Sequence, residues 1–140
     1  MVTVVHQTDL YRPHQDPDDH WDLACQYALA KLGRQRLGGI LLDYPYEGGP
    51  GDPDICAIAQ MNRICGMNVP YGIGAEPGKT LSQAAELLLS VLAESPVPVA
   101  VHIVGSCIDV ALALNAQPER FERNCAAIYL HAGAAQDDRQ

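Results

Sequence analysis

Short apolar runs alternate with longer helix-forming stretches along this chain, and the alternation constrains the fold more than any other feature. Runs rich in β-branched and other apolar residues predict five strands, at 2–6, 39–43, 69–73, 97–104 and 127–130. Helical periodicity and capping residues predict five helices. The first spans 19–32, and the second runs from Asp52 or Pro53 to about 65, where Gly66 closes it. The third is capped by Thr80 or Ser82 and runs to 93, and the last two span 106–114 and 118–123. Unbroken apolar strands between helices are typical of a sheet buried on both faces. The pattern therefore predicts an α/β fold: an open, mainly parallel, Rossmann-like sheet with helices on both faces.

The size and composition fit a single folded domain. The chain has 140 residues, of which 48% are hydrophobic and 19% charged, enough to bury one core. We assign residues 1–135 to this domain and 136–140 to a polar tail. In the first predicted helix, Trp21, Ala24, Cys25, Ala28 and Leu32 share one face, which we expect to pack on the core.

Charge and hydropathy exclude two classes of partner. The net charge of −8 argues against nucleic acid, because phosphate binding needs a basic surface. Apolar runs such as 40–42 are too short to span a bilayer, and the first residues lack the pattern of a signal peptide. The five cysteines form no C-x-x-C pair, so we interpret them as reduced core thiols. We therefore expect a cytoplasmic protein that binds neither membranes nor nucleic acid.

An aspartate-rich turn follows the first predicted strand. Five aspartates fall within fourteen residues, namely Asp9, Asp16, Asp18, Asp19 and Asp22. Such a cluster is the hard-oxygen ligand set of calcium or magnesium, because the carboxylates repel one another without a cation among them. The alternative is a solvated turn, in which these acids favour the helix N-terminus. We prefer the metal site, because ligands of open α/β sheets bind outside the carboxyl ends of the strands.

Other polar residues are candidates for the same sheet edge. Asp43 ends the second predicted strand, so it should face the same edge of the sheet. The sequence does not decide whether its side chain lines a binding pocket there. His14 and His20 flank the aspartates and either bind a metal, protonate a leaving base or are simply solvated, and solvation is the more usual state of a loop histidine. We interpret Asp109 as a helix cap and His102 as a core histidine.

The order of these segments resembles the nucleoside hydrolase family over almost the whole chain. That family begins with a strand and an Asp-x-Asp-Pro-Gly-x-Asp-Asp turn that opens a helix. Here a strand is followed by Asp9, and the pair Asp18-Asp19 stands at the helix start. The strand and helix at 97–114, with Gly105 in the turn between them, resemble the family's strand, Gly-Pro-Leu-Thr-Asn turn and helix. The segment 128–134 is similar to its Met-Gly-Gly strand end.

The resemblance implies a chemistry and a set of roles. Asp9 would bind the metal and act as the base toward the attacking water, and Asp19 would supply the second metal carboxylate. Val104 would give its backbone carbonyl to the metal, and the implied ion is Ca²⁺ rather than Mg²⁺. Asp18 would bind the ribose hydroxyls of a nucleoside or other ribosyl compound. We add Asp16, Asp43 and His14 as further substrate-binding candidates.

The chain also departs from the family's pattern. Gln7 stands where the family has its first aspartate, and an insertion separates Asp9 from Asp18. The family is longer, and its leaving-group acid comes from a part without a counterpart here. We therefore expect a fragment or shortened relative, a poor catalyst alone and a homo-oligomer. Two function classes stay open: an N-ribosyl hydrolase, and a non-catalytic module that binds ribose and metal.

Overall fold

The computed structural model describes residues 1–10, 17–44, 52–76 and 81–131. These residues form five strands and five helices. In chain order they are β1 (Thr3–Thr8), α1 (Pro17–Lys31), β2 (Arg36–Leu42), α2 (Pro53–Cys65), β3 (Tyr71–Ile73), α3 (Gln83–Glu94), β4 (Val99–Ile103), α4 (Ile108–Ala116), α5 (Pro118–Asn124) and β5 (Cys125–Leu130).

The strands form one sheet in the order β3-β2-β1-β4-β5, and every neighbouring pair is parallel. This confirms the predicted α/β fold with a Rossmann-like open sheet. β1 lies at the centre and extends to Thr8, two residues beyond its predicted end. The added residues, Gln7 and Thr8, are polar yet fully buried. The strand continues through them because neighbouring residues satisfy their side chains.

Helices cover both faces of the sheet and divide the core in two. On one face, α3, α4 and α5 pack against side chains that include Val5, Leu41, Leu88, Val101 and Phe121. On the other face, α1 and α2 pack against side chains that include Leu23, Tyr27, Ile40, Leu42 and Ile58. Each face buries only alternate side chains of the strands, as a pleated sheet requires.

Helix α1 uses a different face from the one predicted. Trp21 and Leu32 are 71% and 72% exposed, whereas Leu23 and Tyr27 are buried. The predicted face was chosen because small apolar residues lie between Trp21 and Leu32 on it. The large side chains that pack against the sheet, Leu23 and Tyr27, lie on the neighbouring face of the helix. The prediction that the cysteines are core thiols was also wrong in part, since Cys56 and Cys107 are exposed and the other three half-buried.

Local signals fixed several helix ends as predicted. Asp52 caps α2 by accepting a hydrogen bond from the Asp54 backbone N–H, and Pro53 follows at the first helical position. Gly66 closes α2 in the left-handed conformation. Ser82 caps α3 through the Ala85 N–H. Within the described ranges, no helix is both long and apolar enough to cross a membrane.

Candidate functional site

The carboxyl ends of the three central strands meet at one edge of the sheet. The backbone N–H of Asp43, just after β2, donates to the Thr8 carbonyl at 3.2 Å. The backbone N–H of Val104, just after β4, donates to the Gln7 carbonyl at 3.0 Å. Asp9 follows Thr8 directly. The turns that follow β1, β2 and β4 therefore lie next to one another at this edge.

Asp9 and Asp19 come together at this edge. Asp19 lies in the first turn of α1 and is 6% exposed. Its Oδ2 accepts hydrogen bonds from the Thr8 hydroxyl at 3.3 Å and from the Asp9 backbone N–H at 3.4 Å. These bonds join the start of α1 to the end of β1 and fix one carboxylate beside the other.

Burial raises the pKa of the Asp9 carboxyl to about 8, with further contributions from a hydrogen bond to Asp19 and from the charges of Asp19 and Asp43. Desolvation and nearby negative charge both disfavour the ionised form of a carboxyl group. Asp9 therefore holds its proton at neutral pH in the absence of a cation. A carboxyl group that titrates near neutrality is suited to proton transfer.

A second set of hydrogen bonds ties β1, β2 and the β4–α4 turn together through Gln7. The Gln7 Nε2 donates to Asp43 Oδ1, and its Oε1 accepts from the Gly105 N–H at 2.9 Å. Asp43 Oδ2 in turn accepts from the Ser106 N–H at 3.1 Å. We call these four residues the Gln7 clamp. It holds Asp43 within electrostatic reach of Asp9.

Gly105 lies where the clamp approaches Asp9 closely. A Cβ at this position would lie 3.0 Å from the Asp9 backbone nitrogen, 3.0 Å from Gln7 Nε2 and 3.1 Å from Asp43 Oδ2. Those contacts are tighter than ordinary packing, so a Cβ would require Gln7, Asp43 or the Asp9 backbone to shift by a few tenths of an ångström.

The remaining predicted site residues are placed less centrally. Asp18 is exposed at the start of α1, where its Oδ1 accepts from the Asp19 N–H at 2.9 Å. Val104 is half-buried beside the clamp. Asp16 and His14 lie outside the described residues. Gln7 was not among the predicted site residues, although a polar side chain at the end of an apolar central strand is a usable signal of a buried polar contact.

The donor set is suited to a divalent cation in kind but small in number. Asp9 and Asp19 are hard oxygen ligands, and Ca²⁺ takes six to eight such oxygens. In the part of the chain that the structure describes, no group of three or more His, Cys, Asp or Glu side chains is arranged to hold a metal. Two carboxylates would therefore have to be completed by backbone carbonyls and water.

Asp109 does not cap its helix, contrary to our interpretation. It lies buried in the first turn of α4, and its Oδ1 accepts from the Ala75 N–H at 2.9 Å and from the Ser82 hydroxyl. The carboxylate thus fixes the segment after β3 and the start of α3. His102, by contrast, is partly buried and hydrogen-bonded, as a core histidine should be.

A cavity of about 330 Å³ lies at the opposite, amino end of the sheet. Its lining includes Arg36, Gly38, Leu87, Val91 and Glu94. None of the predicted site residues lines it, so it is separate from the carboxyl-edge site.

No protein-family model matches this chain, and none of the curated proteins compared with it matches either.

Proposed function

We propose that the protein is a hydrolase of N-ribosyl compounds, similar in chemistry to a nucleoside hydrolase. The observation that carries the proposal is the convergence of Asp9, Asp19 and Asp43 at the carboxyl edge, with the pKa of Asp9 raised to about 8. That edge is where open parallel sheets bind ligands. A carboxyl group that exchanges its proton near neutrality, held among other carboxylates, is suited to act as a base toward water.

We assign a role in this reaction to Asp9, Asp19, Val104 and Asp18. Asp9 would take a proton from a water whose oxygen attacks the sugar carbon as the N-glycosidic bond breaks. The base would leave with the electron pair of that bond and take its proton from solvent. Asp19 would hold Asp9 in place, and Asp9, Asp19 and the Val104 carbonyl would hold a divalent cation, which we expect to be Ca²⁺. When bound, the cation supplies positive charge that favours ionised Asp9 and makes a nearby water more acidic. Asp18 is exposed beside this pair and is free to approach ribose hydroxyls.

A non-catalytic ribose- and metal-binding module is the second candidate. Both oxygens of Asp43 accept hydrogen bonds from the protein itself, from Gln7 and Ser106. That carboxylate is therefore engaged in structure, which leaves fewer groups for chemistry. A module of this kind would retain Asp9 and Asp19 as ligands without turning over a nucleoside.

Ribose release from inosine or uridine tests the first candidate directly. We expect slow, calcium-dependent cleavage whose rate rises as Asp9 ionises, with the midpoint shifted below pH 8 by calcium. Asp9→Asn should lower the rate by about a hundredfold or more. Glu86→Gln is the matched control, because it removes an exposed acid from the first turn of α3. Equal rates for Asp9→Asn and the wild type would disprove the assigned role.

Calcium-dependent thermal melting tests the shared cation site. A ligand that binds only the folded state raises its melting temperature. We expect a small rise with calcium over chelator, lost in Asp19→Ala and kept in Glu86→Gln. Calcium-induced stabilisation without any ribose release would favour the binding module over the hydrolase. Identical melts with calcium and with chelator would contradict both candidates.

A further inference from the structure

Strand β5 leaves one edge of the sheet open. It pairs with β4 on one side, and no strand of the described residues lies on the other side. The His131 N–H just beyond β5 donates to the Ile103 carbonyl of β4 at 2.9 Å. Backbone groups alternate in direction along a strand, so Ile128 and Leu130 point their N–H and C=O groups away from β4. No other described strand pairs with these groups.

The same strand exposes large apolar side chains on both of its faces. Ile128, Tyr129 and Leu130 are 45%, 62% and 56% exposed. The strand contains no charged residue and no proline, the residues that usually protect an edge strand from pairing. The other edge of the sheet, β3, is only three residues long. Of the two edge strands that the structure describes, β5 is therefore the longer one and lacks charged residues and proline.

We propose that a second copy of this chain pairs with β5 in antiparallel orientation, about a two-fold axis normal to the sheet and passing beside Ile128. In this register Ile128 faces Ile128 of the second copy. Ala127 then lies opposite Tyr129, and Ala126 opposite Leu130. The dimer is a continuous sheet of two five-stranded halves. The inference is independent of the proposed hydrolase chemistry.

Two features favour a second copy as the occupant. In this register Tyr129 and Leu130 each lie opposite an alanine of the facing strand, and the two Ile128 side chains make an apolar contact beside the axis. Although the chain carries a net charge of −8, β5 contains no charged residue, so pairing it with its own copy brings no like charges together across the two strands. The two-fold axis makes each contact occur twice, so Ala127 faces Tyr129 and Ala126 faces Leu130 on both sides of the axis.

Light scattering after size-exclusion chromatography provides the first test. We expect the wild type to have twice the mass of one chain and Ile128→Glu the mass of one chain, because two glutamates would face each other at the axis. Ile64→Glu is the matched control: Ile64 is 71% exposed on α2, away from β5, and its variant should stay dimeric. A monomeric wild type, or a dimeric Ile128→Glu, overturns the proposal.

A charge-swap experiment tests the register and guards against misfolding of a variant. Ile128→Lys should also be monomeric alone, but mixing it with Ile128→Glu should restore a dimer, because lysine and glutamate then face each other. Amide hydrogen exchange should show Ile128 and Leu130 protected in the wild type and exposed in either variant alone. Failure of the mixture to dimerise overturns the register. Protection of both amides in a monomeric wild type would show that the chain itself covers the edge and overturns the dimer.

Discussion

At the scale of single residues, the candidate site depends on how the protein treats a few buried polar side chains. Asp9 is held protonated by burial and by neighbouring carboxylates, and its pKa lies at about 8. Its ionisation therefore costs the folded state free energy that the unfolded chain does not lose. A positively charged ligand bound at the sheet edge would offset this cost and so stabilise the folded state.

Asp9→Asn should stabilise the apo protein in a pH-dependent way. In the unfolded chain an aspartate titrates near its ordinary pKa of 3.8, whereas the folded pKa is about 8. The folded state thus holds an extra proton between these values, and stability falls as the pH rises through that window. We expect the variant to melt a few degrees higher than the wild type at about pH 8.5, with the gap shrinking toward about pH 5. A gap that is constant or widens toward acid pH would contradict the raised pKa.

Gln7→Leu should break the clamp. Leucine has a similar size but leaves the Gly105 N–H without its acceptor and Asp43 without one donor. A buried polar group left without its hydrogen-bond partner costs about 1–3 kcal/mol. We therefore expect urea unfolding to show a decrease of this order or more in the free energy of unfolding. Gln60→Leu, an exposed change on α2, should be nearly neutral. Equal stabilities of the two variants would show that the clamp contributes nothing.

At the scale of elements, close backbone approaches fix where the helices pack. A Cβ at Gly72 of β3 would lie 2.6 Å from the Gln83 carbonyl oxygen and 2.7 Å from the backbone of Ala84. Helix α3 thus begins directly against the strand, and Asp109 holds the adjoining segment by bonding Ala75 and Ser82. Neither contact could relax without moving the helix.

Gly72→Ala should therefore be more damaging than Gly33→Ala. At Gly72 the new methyl group meets backbone atoms, and such overpacking costs about 1–3 kcal/mol or more. At Gly33, φ is +68° with nothing within 4 Å, so only the left-handed conformation is penalised, by about 1 kcal/mol. Chemical unfolding of both variants measures the difference. A milder effect at Gly72 would mean that α3 can shift at little cost.

The sequence predicted the elements well, because each is specified locally. The apolar strands, the cap at Ser82 and the closing Gly66 are signals within a few residues, and the structure confirms them. The end of β1 was missed because Gln7 and Thr8 are satisfied by residues far along the chain. The role of Asp109 was missed for the same reason. Long-range partners of buried polar groups leave no periodic trace in one sequence.

At the scale of the whole molecule, the buried His6 and the half-buried Asp9 give the free energy of unfolding opposite pH dependences. His6 lies in the central strand, fully buried, with its Nδ1 3.0 Å from His102 Nδ1. Among the described residues its Nε2 has no hydrogen-bond partner. A protonated ring would have an unpaired N–H there. Burial, and secondarily the charge of His102, lowers the pKa of His6 to about 3. Because the ring is fully buried in the central strand, its protonation is coupled to unfolding.

His6→Leu should remove an acid-sensitive contribution to stability. Below an unfolded pKa of about 6.5 the unfolded chain binds a proton that native His6 refuses until about pH 3. Wild-type stability therefore loses about 1.4 kcal/mol for each pH unit across that window from this group. Asp9 acts in the opposite direction over much of the same range. The variant lacks the His6 contribution, so its stability relative to the wild type should rise as the pH falls from about 6.5 to about 4.5. Urea unfolding at several pH values measures this, with His131→Gln, an exposed change just beyond β5, as the control. Parallel stability curves for His6→Leu and the wild type would show that His6 ionises as easily in the folded protein as in the unfolded chain.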